Sequence, residues 1–112
     1  MIQKIRYIIE LCQQEMTAEI RIQLNYEIKL LTRDLKKALK ISVNRVIDEL
    51  ENYYTEIEEM IYYLNLLKDS ISIKTTYHYL YLIIKEILNM IKYREFVHEQ
   101  NITDDLNYSI YF

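Results

Sequence analysis

The chain contains no glycine, no proline and no tryptophan, and its only cysteine is Cys12. Glycine and proline ordinarily supply about 7% and 5% of a globular protein, so losing both is a strong constraint. A Gly-rich phosphate loop and a dinucleotide fingerprint are excluded. So are tight two-residue hairpins, whose central residues need φ > 0. A strand-rich sandwich or barrel is disfavoured, because its many turns draw on the same left-handed backbone. One cysteine closes no intramolecular disulfide and completes no Cys-based zinc site, which fits a reducing compartment.

The remaining composition describes one domain spanning residues 1–112. Hydrophobic residues make up 51% and charged residues 28%, too apolar for disorder and too charged for a membrane bundle. The net charge is −3, so charge alone does not make the chain a polyanion binder. Glu10 interrupts the apolar start and no small-residue cleavage site follows, which argues against a signal peptide. Lys85 and Glu86 break the most apolar stretch, 79–91, which falls short of the ~18 apolar residues of a membrane helix. The expectation is a soluble protein of the cytoplasm without a membrane partner. Abundant isoleucine, tyrosine, asparagine and lysine, with alanine only at Ala18 and Ala38, are what AT-rich coding produces. Small proteins of viruses and mobile elements share that bias, and for a viral protein the compartment would be the host cytoplasm.

Helical periodicity dominates. Ile2, Ile5, Ile9, Cys12 and Met16 recur at three- and four-residue steps, and Thr17 follows as an N-cap candidate. Ile20, Leu24, Ile28, Leu31, Leu35 and Leu39 form a second stripe. A third carries Val43, Val46, Ile47, Leu50, Tyr53, Ile57, Met60, Leu64 and Leu67. Ser42 can cap a new helix, which favours a turn between 18–40 and 43–68 over one long rod. Residues 21–45 hold seven basic against two acidic residues, a net of +5; residues 46–69 hold one against seven, a net of −6. Such a turn would lay neighbours of opposite sign side by side. The polar, β-branched stretch 69–76 is the clearest break. Beyond it Leu80, Ile83, Ile84, Ile87, Leu88, Ile91 and Phe96 define a fourth helix.

The fold expectation is all-α: an antiparallel four-helix bundle with a short C-terminal appendage, needing no cofactor. The appendage can be read as a short helix capped by Thr103, with Ile102, Leu106 and Ile110 on one face. The alternative is α+β. Ile71, Ile73, Tyr77, Tyr79 and Tyr81 alternate with period two, as do Leu106, Tyr108, Ile110 and Phe112, which suggests a hairpin around 71–81 and a C-terminal strand.

Tyrosine is over-represented, with twelve residues. Tyr62 and Leu66 fall opposite the core stripe of their helix and Tyr63 near its edge. Tyrosine buries much area with few rotors to freeze and is enriched at interfaces. Tyr62, Tyr63 and Leu66 are therefore the candidate partner interface, with a homodimer or another protein as the occupant. A non-enzymatic interaction or assembly module, such as a regulator or inhibitor, is the leading functional expectation. The runner-up is nucleic-acid binding by Lys29, Arg33, Lys36, Lys37 and Lys40, which form a cationic ridge opposite the second stripe, with no aromatic residue interleaved.

Arg94 and His98 are four apart and project from one helix face. The pair loosely resembles the HEPN family of small α-helical ribonucleases, whose motif is an arginine, four to six residues, and a histidine. Here three residues intervene, and Glu95 follows the arginine. The resemblance implies an arginine that holds phosphate and a histidine that moves a proton during RNA cleavage. Glu95 and His98 also have the spacing of a di-iron ligand pair, but Thr75 stands where the second glutamate, before His78, is needed. No metal site and no catalytic residue are assigned from the sequence.

Overall fold

A computed structural model of the chain describes residues 1–69 and 73–111, with side chains described as far as Gln100. Five α-helices follow one another: α1 (Ile2–Cys12), α2 (Ala18–Ile41), α3 (Val43–Leu50), α4 (Tyr54–Leu67) and α5 (Lys74–Tyr111). A single 3₁₀ turn, Glu51–Tyr53, links α3 to α4. The fold is an all-α bundle, and no strand occurs among the described residues.

The helix ends show how a chain without glycine turns. Helices commonly stop on a left-handed residue, usually glycine. Here the C-terminal caps Gln13, Ser42, Glu51 and Lys68 all keep negative φ. Hydroxyl caps begin the next helices instead. Thr17 is extended, and its Oγ1 accepts a hydrogen bond from the Ile20 backbone N–H at 3.2 Å. Ser42 serves two helices at once. Its N–H donates to the Ala38 carbonyl at 3.0 Å, and its Oγ accepts from the Arg45 N–H at 3.3 Å. With φ −161° and ψ 115°, this one extended residue separates α2 from α3, where the sequence favours a break.

Among the described residues the core is continuous and almost wholly hydrocarbon, with Cys12, Met60 and Tyr77 supplying its few heteroatoms. Ile5, Ile8 and Leu11 of α1 meet Leu24, Ile28, Leu31 and Leu35 of α2. Val46, Ile47 and Leu50 of α3 join Ile57, Met60 and Leu64 of α4, and α5 adds Leu80, Ile84, Ile87 and Ile91. No polar or charged residue is buried among the described residues. Cys12 lies in this interior, and burial pushes its thiol up to about 11. The α1–α4 seam advances in step: Arg6 meets Glu56, and seven residues later Gln13 meets Tyr63. The two helices therefore run in the same direction. Helices α4 and α5 run in opposite directions, since Lys92 lies over Tyr54 and Lys68 over Tyr77.

Several expectations are corrected. The α+β alternative fails for the described part of 71–81 and for 106–111, because 74–81 and 106–111 lie in α5 and Ile73, just ahead of it, is in no strand. Period-two alternation loses there to a three- and four-residue stripe in which Tyr77, Leu80 and Ile84 are buried on one face. The rest of that expectation, residues 71, 72 and 112, lies outside the described residues. The C-terminal extension continues α5 without a new start at Thr103, and the face shared by Ile102, Leu106 and Ile110 lies outside the described side chains. The third segment is not one rod, because the 3₁₀ turn divides it. Val43 is exposed because it opens α3 ahead of the buried residues, and Phe96 because it falls on the side of α5 away from Leu80, Ile84 and Ile91.

Candidate functional site

Charged side chains on the bundle surface fall into two groups. One group ties helices together. Arg6 of α1 forks onto Glu56 of α4, with Nε at 2.7 Å and Nη2 at 3.2 Å from the two carboxylate oxygens. That hydrogen bond holds the Glu56 carboxyl below its ordinary value. The N-terminal ammonium lies 3.3 Å from Glu49. Lys4 pairs with Asp34 of α2 and lowers that carboxyl, with a smaller contribution from Arg33. Arg94 of α5 reaches Asp48 at 2.5 Å and Glu51 at 3.2 Å.

These pairs bear on two sequence readings. The opposite net charges of 21–45 and 46–69 predict that these neighbours pair. Among the described residues no ion pair joins them, and the acidic side chains are met by α1 and α5. The α2–α3 turn does bring those helices together, but the ridge residues are exposed on the side of α2 away from its buried stripe. Arg94, for its part, carries two carboxylates, and anions already on a guanidinium oppose a phosphate there. His98 is exposed one helical turn further on. Among the described residues, no three His, Cys, Asp or Glu side chains gather where they could hold a metal ion. No described helix is long and apolar enough to cross a membrane.

The second group of cations has aromatic partners, and Arg6, 5.4 Å from the Tyr53 ring centre, belongs to both groups. Lys68 Nζ lies 5.6 Å from the Tyr77 ring centre, Lys85 Nζ 5.6 Å from Tyr81, and Lys36 Nζ 5.3 Å from Tyr79. All three rings belong to the first two turns of α5. Burial, and secondarily Tyr81, raises the Tyr77 phenol. Two open clefts flank this helix start. A cleft of about 820 Å³ between α4 and α5 takes in Tyr62, Tyr77, Tyr79 and Tyr81, with Lys68 and Lys85 at its walls. A second, of about 440 Å³, lies between α2 and α5. Lys29, Arg33 and Lys36 line it on one side and Thr75, Thr76 and Tyr79 on the other.

The ridge residues Lys29, Arg33, Lys36, Lys37 and Lys40 are all exposed, as their phase opposite Leu24, Ile28 and Leu31 requires. The absence of aromatic residues from that ridge holds only along its own sequence. Tyr26, more than half exposed, lies one turn before Lys29, and α5 delivers Tyr79 beside Lys36. No spacing rule within 29–40 could have found Tyr79, more than forty residues away.

The tyrosine-bearing face of α4 divides. Tyr62 and Leu66 are 61% and 57% exposed, as their phase dictates. Tyr63 turns inward, packs against the core and takes a hydrogen bond from Gln13 Nε2 at 3.4 Å. Its ring meets that of Tyr62 edge-on at 5.9 Å. Helix α5 adds an apolar stripe missed in the sequence. Leu82, Tyr93 and Phe96 share a side opposite Leu80, Ile84 and Ile91, and each is at least half exposed. Comparison with protein-family models, with curated proteins and with solved structures finds no match for this chain.

Proposed function

We propose that the protein is a non-enzymatic helical interaction module that assembles with a second copy of itself. The observation that carries this reading is large apolar side chains on outward faces of a bundle whose core is already closed. Tyr62 and Leu66 on α4, and Leu82, Tyr93 and Phe96 on α5, contribute nothing to the interior. Aromatic side chains in such positions are the usual anchors of helix-mediated association, because they remove much area from water with few rotors to freeze. A two-fold pair is the simplest assembly that covers the same face on both chains. The ion pairs on α1, α3 and α5 leave these residues free, so association and folding draw on separate side chains.

Sedimentation equilibrium tests the proposal. Wild type should run as a dimer. Tyr62→Glu with Leu66→Glu, or Tyr93→Glu with Phe96→Glu, should run as a folded monomer with an unchanged helical dichroism spectrum. Wild type that stays monomeric at every concentration, or dimers that survive both double substitutions, would refute it.

A further inference from the structure

We infer that the start of α5, together with the adjoining turns of α2 and α4, forms a groove for single-stranded nucleic acid. Tyr62 lines the larger cleft and also belongs to a face proposed to pair, so the test uses Lys29, Lys36 and Tyr79, none of which is among the residues proposed to pair.

Three features coincide there. The first is charge. Lys29, Arg33 and Lys36 enter from α2, while Lys68, Lys74 and Lys85 border the larger cleft. Against them stand Glu58 on the wall of the larger cleft, Asp69 next to Lys68, and Asp34, whose Oδ1 lies 3.4 Å from Arg33 Nε. Asp34 is also held by Lys4, so its charge is already answered from α1. The molecule is acidic overall, yet this end is locally cationic, and phosphates are attracted by the local field.

The second feature is aromatic surface. Tyr79 and Tyr81 each have a lysine ammonium 5.3 to 5.6 Å from the ring centre, whereas Tyr77, beside Lys68, is buried and offers a base little surface. Tyr79 is 56% exposed, so ring surface stays open to a base. A ring beside a cation offers both parts of a nucleotide a partner: the base stacks and the phosphate meets the ammonium. The third feature is continuity. The two clefts share Thr75 and Tyr79, so a strand lying in one passes over Tyr79 into the other. Thr75 and Thr76 add hydroxyls beside the backbone path. An unpaired strand is favoured over a duplex because stacking on a tyrosine ring requires a base free of its partner.

The test is fluorescence anisotropy with a labelled oligothymidylate, repeated with the same length of duplex and with thymidine monophosphate as competitor. Single strand should bind, weaken steeply with salt, and outcompete duplex. Lys29→Glu with Lys36→Glu should abolish binding. Tyr79→Ala, which leaves every charge in place, should weaken it about tenfold. Dichroism at 222 nm confirms that each variant is folded; all these side chains are at the surface. No binding at low salt would overturn the inference. So would equal binding of duplex, full competition by the mononucleotide at the oligomer's own affinity, or indifference to Tyr79→Ala.

Discussion

Lysine and arginine do different work at two places on this bundle. Around α3 and the first half of α4, cations from other helices are bound to carboxylates: Arg6 to Glu56, Arg94 to Asp48 and Glu51, the N-terminus to Glu49. Around the start of α5, three lysines face tyrosine rings, and among the described residues Arg33 meets only a carboxylate of its own helix, Asp34. Rings also receive Arg6 and Lys92, at Tyr53 and Tyr54, but there Arg6 is tied to Glu56 as well. The first arrangement fixes which helix lies against which. The second leaves charge and aromatic surface available to another molecule. Residue type alone does not separate a structural cation from an accessible one; the helix brought opposite it does.

The comparison breaks most severely if the two regions prove to be independent units. Both lean on one core, so Ile28→Ala should destabilise the whole molecule by about 2–5 kcal/mol in a single unfolding transition. Urea titration followed by helical dichroism and by tyrosine fluorescence, which reports mainly on the α4–α5 seam, should give superimposed curves. Two separate midpoints would show that the regions melt apart. Ser42→Ala removes the hydroxyl that caps α3 and should cost about 1 kcal/mol, read in the same titration.

Acid sharpens the contrast further. The Glu56 and Asp34 carboxyls are held below their ordinary values by Arg6 and Lys4. Their contribution is fully present above the unfolded carboxylate range, about pH 4. It is lost as pH falls through the lowered folded values. Arg6→Gln should therefore flatten the acid limb of the stability profile, while Lys36→Gln leaves it unchanged and shifts stability by no more than about 0.5 kcal/mol. Thermal midpoints between pH 7 and pH 2 measure both effects. An acid limb altered equally by the two variants would erase the distinction between the regions.

Much of the fold is legible from hydrophobic spacing. The stripe of Leu24, Ile28, Leu31 and Leu35 is buried as a whole, and Thr17 and Ser42 begin the helices that they cap. Helix α1 is the instructive exception. Its three- and four-residue stripe contains Ile5, Ile9 and Cys12, but Ile8 and Leu11 are buried as well. A short helix packed between α2 and α4 needs two apolar sides, and a single-stripe reading finds one. Charge signs were legible, but their pairing was not. The acidic segment finds α1 and α5, because which faces meet depends on the packing of the whole bundle. Tyr79 is the sharpest case at the candidate site. In sequence it belongs to an ambiguous alternating run, and only the docking of α5 against α2 makes it a neighbour of Lys36.

Among the described residues the greasy interior carries few side chains able to hydrogen-bond, the Cys12 thiol and the Tyr77 phenol. Hydrocarbon swaps of equal volume are tolerated readily in such a core. Alignment of the rods must then be written on the outside, in the handful of charged pairs that span them. Such marks fade in concentrated salt, where the screening length shrinks to about 3 Å at 1 M. Brine should leave the helices intact while loosening the choice of which rung faces which.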